Sequence, residues 1–169
     1  MDYIVYFLQH HHMITKTNID IKDLGIYDCK ENAEKAIAKL TELPGFKNTG
    51  KDFKVIKFIL NKTRWINGFD KFIGSEIPKS DKVKNNAIDV KNLGLTHIYL
   101  LSHFFEIEEN EFYKDEVRYI GIYSTEEKMI NELQKMKTKN GFKDYVDFFA
   151  DAQYEINKME WTSGFSTVY

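Results

Sequence analysis

The feature that most constrains this chain is an internal repeat. The tripeptide Gly-Ile-Tyr at 25–27 recurs at 121–123, and the offset of 96 continues without a gap over 45 positions, of which 14 are identical. Upstream, segment 6–10 matches segment 99–103 at an offset of 93. The second copy therefore carries three extra residues between its first two elements. A tryptophan and two Gly-Phe pairs kept in register indicate two copies of one structural unit.

Each copy has the pattern of two strands, a helix and a third strand. Unbroken apolar and β-branched runs open the copies at 3–8 and 98–101, as in strands buried on both faces. An acid three residues after Asp28 and after Ser124 predicts a capping box before each helix. The sequence predicts an α+β fold, a tandem duplication of a β-β-α-β unit with antiparallel sheets and pseudo-twofold symmetry.

The repeats set the predicted boundaries. We predict a first β-β-α-β repeat at 1–69, a linker at 70–95 and a second repeat at 96–169. The linker is polar and is expected to run over the surface, with a helical turn at 87–93. The side chains predicted to be buried are Ile37, Leu40, Phe46, Phe53, Leu133, Met136, Phe142 and Phe149.

Several motifs resemble a small bacterial domain family that is functionally uncharacterised. They are a Tyr-Phe-Leu-Gln-His opening at 6–10, a Gly-x-Tyr before a capped helix, a Leu-Pro-Gly-Phe after it, and a Trp-x-x-Gly-Phe ending at 65–69. The resemblance covers nearly the whole chain, once per repeat, although the second copy has Ser102 in place of Gln9 and lacks the proline. It implies the boundaries of the unit and supplies no catalytic residues.

Composition excludes several classes of protein. The single cysteine rules out an internal disulfide and fits a reducing, cytoplasmic location. An acid at position 2 and no basic segment before the first apolar run argue against a secretory signal, and no apolar run approaches a membrane span of about 20 residues. The net charge of -2 argues against nucleic-acid binding. Frequent Lys, Asn and Ile are typical of an AT-rich bacterial or phage genome.

Motifs for catalysis are missing from the sequence. It has no Gly-rich phosphate loop, no Ser-His-Asp arrangement, no pair of catalytic carboxylates and no zinc-ligand spacing. Cys29 is expected in the first turn of a helix, where the dipole would lower its pKa, but the second copy has Thr125 there. The sequence therefore favours a non-catalytic protein with no cofactor and no metal.

Duplicated histidines and tryptophans suggest one candidate site. His10 and His103 each end the first strand of a repeat, and Trp65 and Trp161 precede the Gly-Phe pairs. If the repeats bring these four together, they would line a junction pocket for a small molecule. The alternatives are a histidine bonded to backbone at the end of each strand and a tryptophan that plugs each small core.

Charge suggests a second candidate site. Residues 1–80 hold 13 basic and 10 acidic residues, whereas residues 81–169 hold 11 and 16. The excess of acids is concentrated where the second copy is longer, and includes Glu106, Glu108, Glu109 and Glu111. The leading hypothesis is an inhibitor or immunity-type protein that occludes a basic protein partner, such as a nuclease toxin. The alternatives are a small-molecule-binding or sequestering protein and an enzyme that uses the histidine pair.

Overall fold

A computed structural model gives the fold for residues 1–13, 19–47, 49–65, 86–109 and 112–163, with the backbone alone described at 106–109 and 112–116. The elements in chain order are β1 (Tyr3–Met13), β2 (Ile19–Tyr27), α1 (Lys30–Thr41), β3 (Phe53–Ile59), β4 (Ile88–Asp89), β5 (His97–Glu109), β6 (Phe112–Tyr123), α2 (Glu126–Met136) and β7 (Phe149–Glu155). The α+β class is confirmed, and both repeats follow the order strand, strand, helix, strand.

Two sheets contain these strands. The first has the order β2-β1-β3, and the second has the order β6-β5-β7. The β1–β2 and β5–β6 pairs are antiparallel, and each register shifts at the same place, after Leu8 in one hairpin and after Leu101 in the other. The hairpins therefore share a bulge as well as a strand order. The pseudo-twofold relation stays a prediction.

Half of the predicted core residues are fully buried. Leu40, Phe46, Met136 and Phe142 are buried as predicted, whereas Ile37, Phe53, Leu133 and Phe149 are only half-buried. In α1 the buried stripe is Ala33, Ala36 and Leu40, a spacing of three and four residues. That spacing moves the neighbouring Ile37 to the margin of the core.

Both helices begin one residue later than the predicted capping boxes. The N-cap of α1 is Cys29, whose side chain makes no capping hydrogen bond. The N-cap of α2 is Thr125, whose hydroxyl accepts from the Lys128 backbone N–H. Cys29 is 5% exposed, and burial raises the pKa of its thiol. The expectation of a lowered thiol pKa is therefore wrong.

Most of the described part of the linker is exposed, and two of its residues add a short strand to the first sheet. Ile88 and Asp89 form β4, which pairs in parallel with the start of β1. The hydroxyl of Tyr6 donates to Asp89 Oδ1 over 2.8 Å. The predicted helical turn is a 3-10 turn at Val90–Leu93, in which the side chain of Val90 is buried. The earlier part of the linker, through residue 85, lies outside the described residues.

The chain forms two compact units whose boundaries differ from those of the two repeats. Unit 1 consists of Met1–Lys57, Asn86–Thr96 and Tyr154–Tyr169, and unit 2 consists of Phe58–Asn85 and His97–Gln153, each within the described ranges. The end of each third strand and the turn after it therefore belong to the unit formed mainly by the other repeat. We call residues 58–65 the first crossing segment and residues 154–163 the second crossing segment.

Candidate functional site

The second crossing segment is tied to the end of β2 by backbone hydrogen bonds within unit 1. The Asn157 N–H donates to Ile26 O over 2.9 Å, and the Glu160 N–H donates to Leu24 O over 3.0 Å. The Asn157 side chain then accepts from the Asp28 N–H over 3.1 Å. These bonds tie the segment to the edge strand β2.

Two conformationally special residues make this pairing possible. Asn157 adopts a left-handed φ of 67°, which asparagine tolerates better than most residues. Gly25 adopts a φ of 136°, and a Cβ there would overlap the carbonyl oxygen of Lys158. The repeated Gly-Ile-Tyr and Asn-Lys motifs are therefore the two sides of one close backbone contact.

Unit 2 contains the same arrangement made from the other copies. The Asn61 N–H donates to Ile122 O over 2.8 Å, and Asn61 Oδ1 accepts from the Ser124 N–H over 2.8 Å. A Cβ on Gly121 would lie 2.8 Å from Lys62 O. Each repeat thus completes its first hairpin with the crossing segment of the other repeat.

The tryptophans lie at the ends of the crossing segments, stacked against cations. Trp161 is 46% exposed, and Lys22 Nζ lies 4.1 Å from the centroid of its ring. Trp65 is half-buried, and Arg118 Cζ lies 4.4 Å from its ring centroid. Each ring thus makes a cation–π contact with a residue of an edge strand, and Trp161 is too exposed to plug a core.

The duplicated histidines are core residues, each held edge-on by two phenylalanine rings of its own repeat. The Thr49 hydroxyl donates to Phe46 O, so Thr49 Oγ1 accepts from His10 Nε2 over 2.9 Å. His103 Nε2 donates to Tyr145 O over 2.9 Å. Burial lowers the pKa of both histidines, so both are neutral at pH 7.

The predicted pocket residues are divided between the units. Unit 1 contains His10 and Trp161, and unit 2 contains His103 and Trp65. His10 is the register partner of Lys22, the residue stacked on Trp161. Each unit therefore combines one histidine with the tryptophan of the other repeat. A pocket lined by all four stays a prediction.

The acidic residues lie on the second hairpin. The register puts Glu106 opposite Asp115, Glu108 opposite Tyr113 and Glu109 opposite Phe112. Glu111 and the side chains of Glu106, Glu108 and Glu109 lie outside the described residues. The backbone thus assigns three of the four predicted partner-binding residues to β5.

One polar cluster in unit 1 was not predicted from the sequence. Gln9 bridges Asp23 and His11 by hydrogen bonds, on a part of the first sheet whose equivalent in unit 2 is less polar. The signal was present in the sequence as a set of unlike residues at aligned positions. A search for identical residues between the repeats does not detect these differences.

No family model, curated protein or solved structure significantly matches this chain. The resemblance to a small bacterial domain family stays a prediction. Within the described ranges, no three His, Cys, Asp or Glu side chains are grouped to hold a metal ion, and no helix is long and apolar enough to cross a membrane.

Proposed function

We propose that this protein is a non-catalytic binding protein that occludes a basic protein partner, in the manner of an inhibitor or immunity protein. The binding element is the acidic second hairpin, with Glu106, Glu108, Glu109 and Glu111 as its contact residues. A basic nuclease toxin has the chemistry that this hairpin would recognise, because such enzymes carry positive charge for their nucleic-acid substrates.

The register of β5 and β6 is the observation that carries this proposal. Glu106 and Asp115 are directly opposed across an antiparallel pair. Like charges in that position destabilise a sheet, so the stability of the hairpin does not explain them. The first hairpin has His12 opposite Asp20 and Met13 opposite Ile19 near its end. The acids are therefore specific to one copy, as expected for residues added for a partner.

Replacing the four glutamates with glutamine tests the proposal. The side chains keep their shape, four negative charges are removed, and the free energy of unfolding should change by no more than about 0.5 kcal/mol per site. The rate constant of association with a basic partner should fall about tenfold or more at low salt, and the difference should shrink as salt screens the charges.

A second quadruple variant provides the matched control. It neutralises exposed acids elsewhere in unit 2, and these are Glu126, Glu127, Asp144 and Asp151. Both variants and the wild type serve as baits for proteins of the source organism. The proposal predicts a basic protein that the wild type and the control retain and the hairpin variant loses. Equal association rates for the hairpin variant and the wild type at low salt would remove the basis of the proposal.

Small-molecule binding is the second candidate, and the exposed ring of Trp161 favours it. A 46% exposed indole beside Lys22 is suited to stacking on a flat anionic ligand. The Trp65→Phe variant leaves Trp161 as the sole tryptophan, so its fluorescence reports on that ring alone. Adenosine monophosphate is a suitable probe. Saturable quenching that is lost in Lys22→Ala would support this candidate, and unchanged fluorescence would contradict it.

A further inference from the structure

Each sheet has one edge strand with a neighbouring strand on only one side, among the described residues. These strands are β3 and β7, which stand last in the orders β2-β1-β3 and β6-β5-β7. At the opposite edges, β2 and β6 accept backbone hydrogen bonds from the crossing segments. Because an edge strand presents a row of backbone donors and acceptors, β3 and β7 are the edges at which a further strand can pair.

The pairing of β5 with β7 sets the direction of these backbone groups. The Ile156 N–H donates to Thr96 O over 2.9 Å, and the Ser102 hydroxyl donates to Ala150 O over 3.2 Å. Both contacts fit one antiparallel register, in which Ile156 points its backbone groups toward the β5 side. Residues that point to one neighbour alternate with residues that point away. The odd-numbered residues of β7 therefore point their backbone groups away from β5.

β3 pairs with β1 in the equivalent register. Lys57 Nζ lies 5.9 Å from the centroid of the Tyr6 ring, and the rings of Phe53 and His10 are 4.8 Å apart. A later residue of β3 thus lies beside an earlier residue of β1, so the two strands are antiparallel. The second sheet has the same contact between a histidine and a phenylalanine. The odd-numbered residues of β3 therefore also point their backbone groups away from the sheet.

The exposed side chains of the two edges have opposite charges. They are Lys54, Val55 and Lys57 on β3 and Asp151, Ala152, Gln153 and Glu155 on β7. Like charges directly opposed across two strands destabilise the pair, so the lysines disfavour pairing of two β3 strands and the carboxylates disfavour pairing of two β7 strands. Pairing of β3 with β7 brings unlike charges together. Each edge therefore selects the other as its partner.

We propose that β3 of one copy of this chain pairs with β7 of a second copy, in an antiparallel arrangement that joins their sheets edge to edge. The register that fits the charges has Lys57 opposite Asp151 and Val55 opposite Gln153. All four residues point their backbone groups outward, so each opposed pair exchanges two hydrogen bonds. A second copy is the occupant because the same chain carries both complementary edges.

The contact is heterologous, since it joins two different surfaces. Two paired copies retain one unused β3 edge and one unused β7 edge, so association continues beyond a dimer unless the copies close a ring. Strands this short bury less than the roughly 1,200 Å² of a stable interface, so the association is weak and depends on protein concentration. The opposed charges are exposed, so salt weakens the association.

Sedimentation velocity of the full chain over a range of protein concentrations tests the proposal. At low salt the weight-average mass should rise above the 20.0 kDa of one chain as the concentration increases, and the rise should be smaller at high salt. The variant with glutamine at the four glutamates of the second hairpin should associate like the wild type, which separates this contact from binding of a basic partner. A mass of 20.0 kDa at every concentration would overturn the proposal, and a different protein would then be the remaining candidate for these edges.

Charge reversals make the test specific for the two edges. Lys57→Glu and Asp151→Lys should each lower the association constant about tenfold or more, because each opposes like charges in the proposed register. An equimolar mixture of the two variants should recover the association, since each supplies the charge that the other needs. Lys139→Glu and Glu127→Lys reverse exposed charges outside the edge strands and should leave association unchanged. No recovery in the mixture, or equal losses in the control variants, would refute pairing through these edges.

Discussion

Gly25→Ala is the substitution whose effect the structure defines best. The backbone there has a φ of 136°, a conformation that costs a side-chain-bearing residue about 1–3 kcal/mol. The new methyl group would also overlap Lys158 O, so the second crossing segment must move. Moving it weakens the hydrogen bonds donated by Asn157 and Glu160, each worth about 1 kcal/mol net. We expect a loss of about 3–5 kcal/mol in the free energy of unfolding.

Urea denaturation of a graded series of glycine variants measures this effect. In Gly121→Ala the Cβ would lie 2.8 Å from Lys62 O but φ lies outside the left-handed region, so we expect a smaller loss. Gly50→Ala is the control, because no atom lies within 4 Å of its Cβ, and stability should change by no more than about 0.5 kcal/mol. Equal stabilities for the Gly25 and Gly50 variants would refute the close backbone contact.

Four further outcomes are expected. The buried hydroxyl of Tyr27 has no hydrogen-bond partner among the described residues, whereas the hydroxyl of Tyr123 is hydrogen-bonded to that of Thr63. Measured by urea denaturation, Tyr27→Phe should therefore stabilise the protein by about 1 kcal/mol, and Tyr123→Phe should destabilise it by a similar amount. Phe53→Ala should cost about 1–3 kcal/mol in the same assay, less than a fully buried phenylalanine, because the ring is half-buried. Burial lowers the pKa of His10, His11 and His103, so the unfolded chain takes up protons first and the free energy of unfolding should fall as the pH drops below about 6.5. Replacing all three histidines with glutamine should remove most of that pH dependence. Added Zn²⁺ should leave the melting temperature unchanged, and a saturable rise would reveal a metal site.

The fold class and the order of the elements follow from local sequence patterns. Apolar runs predicted β1 and β5, and apolar spacing predicted both helices. The predicted helix starts are one residue too early, because Asp28 and Ser124 are residue types that favour the N-cap but lie one residue before it. Asp28 instead accepts a hydrogen bond from Asn32 Nδ2.

The exchange of crossing segments could not be predicted from the repeat. Gly25 and Gly121 are equivalent, and so are Asn61 and Asn157, so each glycine can meet either asparagine with the same local chemistry. Which copy pairs with which depends on the path of the chain after the third strand. Local propensities do not encode that path.

The candidate sites differ in how far the sequence reveals them. The acidic hairpin is visible as a local excess of charge. The environments of Trp65 and Trp161 cannot be read from the sequence, since each depends on a cation contributed by the other repeat. The Gln9–His11–Asp23 network becomes visible only when the unlike positions of the repeats are compared. Identities between repeats report on shared structure, and differences report on what one copy has acquired.

The exchange itself has a direct test in the neighbours of a single tryptophan. In the Trp65→Phe variant only Trp161 remains, and nuclear Overhauser effects from its indole protons identify the side chain stacked on it. The structure predicts contacts with Lys22, which lies 4.1 Å from the ring centroid. Contacts with Arg118, the cation of its own repeat, would show that each repeat keeps its own segment and would contradict the exchange.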